Sequence, residues 1–410
     1  MEDKKTLNFV IVGHVDHGKS TLIGRLFFDT DSLPYDKIEE VKKASEGRAG
    51  AEIEFAFLMD HLREEREQGV TIDTAQTFFK TPKRDYVIID APGHVEFVKN
   101  MITGASQAEA ALLIVDVVEG VAEQTKRHAN LISMLGLEQI IVVINKMDEV
   151  DYKEESFNRV KRDVGDFFSN TGLKGDYYIP ISALKGENVV SHSNSMRWYK
   201  GPTILASLDS LENRVLPEDK SLIFPIQDVY KIYGNRVAVG RVEAGWIEKN
   251  MKVKILPEGT KIKIKSIEKF NEEKNRAVAG ESIGITTEDP AFLQRGSVLC
   301  IEGKEPTITK SFEANLVWLS KEAFDINERI RIRLATQETS GNVISIKKRI
   351  NSSSLEVLEE DASIIKNLEI GDIVFETKNP IAITKFNDIQ ELGRFVLVRG
   401  NDVVAGGIIT

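Results

Sequence analysis

The chain has 410 residues, 41% hydrophobic and 29% charged, with a formal net charge of −10. That length exceeds what one core usually holds, so two or three domains are expected, each large enough to bury its own core. The single cysteine, Cys300, excludes a disulfide framework or a cysteine-rich zinc site within one chain, the acidic balance argues against a surface that binds nucleic acid indiscriminately, and no apolar run approaches the roughly 20 residues of a membrane span.

Met1 to Lys5 lead directly into a first strand with no signal peptide, so a cytoplasmic protein is expected. The apolar run Phe9-Val10-Ile11-Val12 reads as a buried parallel strand, followed by Gly13-His14-Val15-Asp16-His17-Gly18-Lys19-Ser20-Thr21. Gly13 and Gly18 let the backbone bend so that the N–H groups between them converge on a phosphate. A helix beginning near Lys19 turns its positive end toward the same anion. This is a P-loop, with Lys19 expected on the β- and γ-phosphates and Ser20 on Mg²⁺.

Further buried strands follow at Val87 to Asp90, Ala111 to Asp116, Ile140 to Asn145 and Tyr178 to Ser182, each ending in a polar residue and separated by helix-length segments. Continuous apolar strands alternating with helices predict a mainly parallel sheet with helices on both faces, whose ligands sit at the carboxyl ends of the strands. At those ends, Asp90-Ala91-Pro92-Gly93-His94 places a carboxylate where it can hold the Mg²⁺ shell and the Gly93 N–H toward the γ-phosphate. Asn145-Lys146-Met147-Asp148 supplies an amide, an aliphatic stem to lie along a purine, and a carboxylate that accepts two N–H bonds from guanine. Adenine offers no such donor pair. Ser182-Ala183-Leu184 offers a backbone N–H to the guanine O6.

A polar connector, Asn213 to Lys220, precedes short strands divided by Gly and Asn turns, the spacing of all-β structure. The expected organisation is an α/β P-loop GTPase domain over residues 1–215 and two small all-β barrels over 216–306 and 307–410. Cys300 is expected in a barrel core, and the lysines between Lys261 and Lys269 on the outer face of an edge strand. His14 and His17 are three apart, but loop glycines are expected to splay them with no carboxylate to join them. His61, His128 and His192 stand among polar neighbours and are expected to be exposed.

Together, GHVDHGKS, DAPGH, NKMD and SAL resemble the translation-factor class of P-loop GTPases, and the resemblance covers the whole chain. It implies GTP/GDP and Mg²⁺ as cofactors, and a first switch at Gly69 to Asp73 in which Thr71 coordinates Mg²⁺ when GTP is bound. It further implies that His94 orients the attacking water and that Val15 and Val70 gate its approach. Pro225 to Tyr230 with Gly240 to Glu243 are similar to elongation factor 1-alpha, whereas Ala314 to Leu319 and Ile346 to Glu356 resemble the GTP-binding subunit of sulfate adenylyltransferase. The second resemblance implies a GTPase that drives adenosine 5′-phosphosulfate synthesis in a hetero-oligomer with a small catalytic subunit, nucleic acid being an unlikely partner. The first implies a carrier of aminoacyl-tRNA.

Overall fold

The computed structural model describes residues 6–32, 76–90, 108–213, 217–232, 234–269, 272–288 and 292–410. The chain divides into two compact units, Met1–Arg214 and Val215–Thr410.

In the first unit, β1 (Thr6–Gly13), β2 (Gln76–Lys80), β3 (Asp85–Asp90), β4 (Ala110–Asp116), β5 (Gln139–Asn145) and β6 (Tyr177–Pro180) form one sheet in the order β2-β3-β1-β4-β5-β6. Only the outer strand β2 runs antiparallel to its neighbour; the rest pair in parallel. Every residue of β4 is buried, as a strand covered on both faces must be. Helices α1 (Lys19–Asp29), α2 (Glu123–Met134), α3 (Glu154–Thr171) and α4 (Ile204–Ser210) accompany the sheet. In α3 the buried set is Phe157, Val160, Val164 and Phe168, one stripe at helical spacing, and the helix stops at Gly172, whose φ of 71° suits glycine. Thr203 caps α4 by accepting the Ala206 N–H at 3.2 Å.

Parallel register brings the functional strand ends level: Gly13 sits against Ile114, and Asp116 against Asn145. Leu22, Ile23, Leu26 and Phe27 of α1 pack into the same core as Phe9, Ile11 and Leu112, which fixes the start of α1 beneath the loop that joins it to β1. His128, expected at the surface, is 4% exposed, because it lies on the inner stripe of α2 with Thr125, Leu131 and Ile132.

The second unit contains two β-domains. In the first, six strands pair in the ring order 252–256, 298–300, 223–232, 235–241, 282–287 and 260–269, and the last pairs back with the first. The strand Thr260–Lys269 is therefore paired on both sides rather than at an edge. Its Ile262, Ile264 and Ile267 enter the core, while outward Lys261 and Lys263 meet Glu302 and Glu288 at 2.6 and 2.8 Å. The second β-domain has the ring order 329–334, 394–399, 402–409, 307–318, 369–383 and 337–351, again with end strands paired. One buried cluster contains Ile223, Leu256, Val298 and Cys300 of the first together with Trp318 and Phe375 of the second. Burial pushes the Cys300 thiol up to about 12, as expected for a core thiol.

Candidate nucleotide site

The loop after β1 is shaped by close backbone approach. A Cβ at Gly13 would lie 2.6 Å from the Ile114 carbonyl oxygen, and one at Gly18, where φ is +90°, would run into the Asn145 Nδ2. Only glycine fits both places. Asp16 also has positive φ, 64°, so the loop turns back before α1 begins at Lys19. No side chain caps α1, so Lys19, Ser20 and Thr21 form a first turn whose N–H groups have no intrahelical acceptor. The Lys19 ammonium spans the loop, donating to the Gly13 and His14 carbonyls at 2.8 and 2.7 Å.

His14 and His17 are not splayed. Their rings meet edge-on at 5.2 Å, and Glu119, in the loop between β4 and α2, joins them: its carboxylate lies 2.7 Å from His17 Nε2 and 3.7 Å from His14 Nε2. His14 Nδ1 also bonds Gln124 of α2. These contacts brace the phosphate loop against the segment that follows β4. His17 is 1% exposed, and its Nδ1 lies 3.3 Å from the Asp116 N–H. With the shorter contact at Glu119, the hydrogen is assigned to Nε2.

At the base end, Asn145 is fully used. Its Nδ2 donates to the His17 carbonyl at 2.8 Å and its Oδ1 accepts the Ala183 N–H at 3.0 Å, tying the phosphate loop to the Ser182-Ala183-Leu184 turn. Of the N–H groups of that turn, the one on Ala183 is thus spent on Asn145. Ser182, fully buried, accepts the Lys185 N–H at 3.2 Å and exchanges backbone bonds with Glu187. Lys146 has left-handed backbone, φ 63°, and its ammonium meets Asp116 Oδ2 at 2.8 Å. Asp148 Oδ1 is buried and has no hydrogen-bond partner. A buried carboxylate oxygen left without a donor is costly, and the guanine N1–H and N2–H edge supplies what it lacks. Val15 and Leu184, 56% and 36% exposed, border the site.

Two shifted groups belong together. Burial, the largest single influence, works to raise the Asp116 pKa, but the Lys146 hydrogen bond, the Val118 N–H, the Lys146 charge and the Glu119 N–H together outweigh it, and the carboxyl falls below its ordinary range. Burial likewise works to lower the Lys146 pKa, and the Asp116 bond and charge, with smaller pulls from Glu149 and Asp16, raise it overall. Neither Asp116 nor Glu119 was picked out from sequence as a site residue. The polar end of β4 was the one available signal.

Thr71, Gly93 and His94, like Val70, His61 and the rest of the first switch, lie outside the described residues, as does the Asp90 side chain; the Asp90 backbone closes β3 opposite Ile11 of β1. Of the expected Mg²⁺ ligands Ser20, Thr71 and Asp90, Ser20 is described, in the first turn of α1 beside Lys19. The glycine cradle and the unpaired Asp148 oxygen fit a guanine nucleotide, and Ser20 is the described residue that could hold the ion neutralising its phosphates.

Comparison with known proteins agrees in order and extent. Residues 4–217 match the elongation factor Tu GTP binding domain, 235–300 elongation factor Tu domain 2, and 311–410 a GTP-eEF1A C-terminal domain-like family. Elongation factor 1-alpha of Methanoregula boonei is 40% identical over 99% of this chain and 97% of its own length. That of Archaeoglobus fulgidus is 39% identical over 100% and 98%. The chain belongs to the translation-factor GTPases of the elongation factor Tu/1-alpha type. It is a GTPase that binds GTP and GDP, with Mg²⁺ as the expected ion. Among solved structures, sup35 complexed with GDP aligns at a TM-score of 0.46 and 25% identity, covering 100% of this chain and 95% of that one.

These relatives overturn the expectation of a sulfate adenylyltransferase subunit and of its small catalytic subunit as partner, and with it the dismissal of nucleic acid: the full-length relatives are elongation factors 1-alpha. The physical reason lies in the two stretches that suggested sulfate activation. Ala314, Leu316 and Trp318 point into the barrel core, with the Trp318 ring 5.1 Å from Phe324. In Asn351-Ser352-Ser353-Ser354, Asn351 Oδ1 accepts the Ser353 and Ser354 N–H groups at 2.8 and 3.2 Å, a side-chain-capped turn. These residues serve packing and turn chemistry, which carries no partner information. Net charge, for its part, says nothing of local patches.

Proposed function

We propose that this chain is a GTP-gated carrier of aminoacyl-tRNA, engaging its cargo with GTP bound and releasing it at the ribosome on hydrolysis. The observation that supports it is the reach of the similarity: relatives named elongation factor 1-alpha match 99% of this chain and 97% of their own length, both β-domains included. In this reading Thr71 senses the γ-phosphate, and His94 orients the attacking water behind Val15 and Val70. The nucleotide acts as a switch, since a segment held by one phosphate is freed when that phosphate leaves.

The test is protection of aminoacyl-tRNA from spontaneous deacylation by the full chain with Mg²⁺ and either GTP or GDP. Protection with GTP and little with GDP is expected. Equal deacylation with and without the GTP-loaded protein would overturn the proposal, while leaving guanine-nucleotide binding intact.

A further inference from the structure

Lys146 belongs to the base-recognition segment, yet its ammonium meets a residue of another strand, Asp116, at 2.8 Å, with Glu149 of its own turn farther off at 3.8 Å. Asp116 and Asn145 are register partners at the ends of β4 and β5, so the residue after Asn145 leaves the sheet directly beside the Asp116 side chain. The turn it enters is strained: Lys146, Asp151 and Tyr152 all have positive φ, of 63°, 52° and 57°. Such backbone in residues other than glycine persists only where neighbours over-determine it. Here the restraints are the Met147 N–H on the Ile181 carbonyl at 3.1 Å, the Tyr152 N–H on the Met147 carbonyl at 2.8 Å, and the 2.8 Å ion pair from Lys146 to Asp116. Asp116 is itself fixed, being 5% exposed, with Oδ1 accepting the Val118 and Glu119 N–H groups at 2.7 and 3.3 Å. Its backbone N–H reaches His17 Nδ1, and the loop it holds carries Glu119, which bonds the other nitrogen of that ring.

We propose that Asp116 is a positioning residue for guanine-nucleotide binding: it anchors the Lys146 ammonium so that the lysine stem is fixed along the purine, and joins this anchor to the brace on the phosphate loop. Asp116 touches no nucleotide and acts through Lys146. A freely rotating lysine would have to be ordered when nucleotide binds, at a cost in side-chain entropy, and the ion pair meets that cost in advance. The inference rests on the guanine-nucleotide reading of the site and is independent of any cargo.

Release of a fluorescent GDP analogue from the full chain with Mg²⁺ tests it. Asp116→Asn keeps the shape and removes the charge, and should speed release by on the order of tenfold, the size expected for a lost hydrogen bond to a charged group. Lys146→Met keeps the aliphatic stem and removes the ammonium, and should speed release to a similar degree. The decisive arm is the double variant, which should release no faster than either single one. If Asp116→Asn speeds release by the same factor in the Lys146→Met background, Asp116 merely supports the fold and the proposal fails; it fails also if Asp116→Asn releases at the native rate. Should Asp116→Asn not fold, Lys146→Met alone decides, and a native release rate in that variant overturns the proposal.

Discussion

The two ends of the nucleotide site are built by different means. The phosphate end is made of backbone: glycines that admit close approach, an uncapped helix start, and a lysine that bridges the Gly13 and His14 carbonyls. The base end is made of side chains: Asn145 spent on two loops, Lys146 fixed by Asp116, and Asp148 with one buried oxygen unpaired. If backbone holds the phosphates and side chains select the base, affinity and specificity should be separable by mutation. They meet at Asn145 and Asp116, which touch both.

The largest effect is expected where the two ends collide. Gly18→Ala puts a Cβ into the Asn145 amide at a left-handed position, and should abolish measurable binding of GTP and GDP alike in calorimetry. If the variant binds normally, Asn145 does not hold the phosphate loop as its bond to the His17 carbonyl implies. Next, Asp148→Asn should weaken GTP on the order of a hundredfold and shift preference toward xanthine nucleotides, since an accepting carboxylate becomes a partly donating amide. Competition against fluorescent GDP measures both. Unchanged GTP affinity would remove Asp148 from base recognition and leave the base end without its selector.

A smaller effect sharpens the contrast from the other side. Glu119→Ala frees His14 and His17, and because that carboxylate is half exposed the loss of GDP affinity should be only a few-fold. The ratio of GDP to inosine diphosphate affinity should not move, and a changed ratio would mean that the phosphate brace also selects the base. The smallest effect concerns acid. The Asp116 carboxyl is held below its ordinary value, so its contribution to stability is complete above about pH 4 and is lost as pH falls through the folded value. The stability gap between the native chain and Asp116→Asn, measured by chemical unfolding, should therefore narrow below about pH 4. A gap independent of pH would show that the ion pair does not stabilise the nucleotide-free chain.

The sequence by itself determined the P-loop, the parallel sheet and the place of the Asn145 to Asp148 segment at a strand end, because these rest on short-range rules: runs of buried residues, glycines at fixed spacing, and functional groups at strand ends. It also placed Cys300 in a core and marked the change to all-β structure after the Asn213 connector. Only the tertiary structure decided what lies beside what. That His14 and His17 share Glu119, that Asp116 holds Lys146, and that the Ala183 N–H serves Asn145 are contacts between residues some 30 to 105 apart in the chain, set by strand order and register. His128 and the Lys261 strand were misjudged for the same reason: exposure depends on what packs against a residue, and local polarity does not report it. The Ala314 and Ile346 stretches misled more seriously, since residues selected by barrel packing look distinctive in one dimension and prove in three to be core and turn.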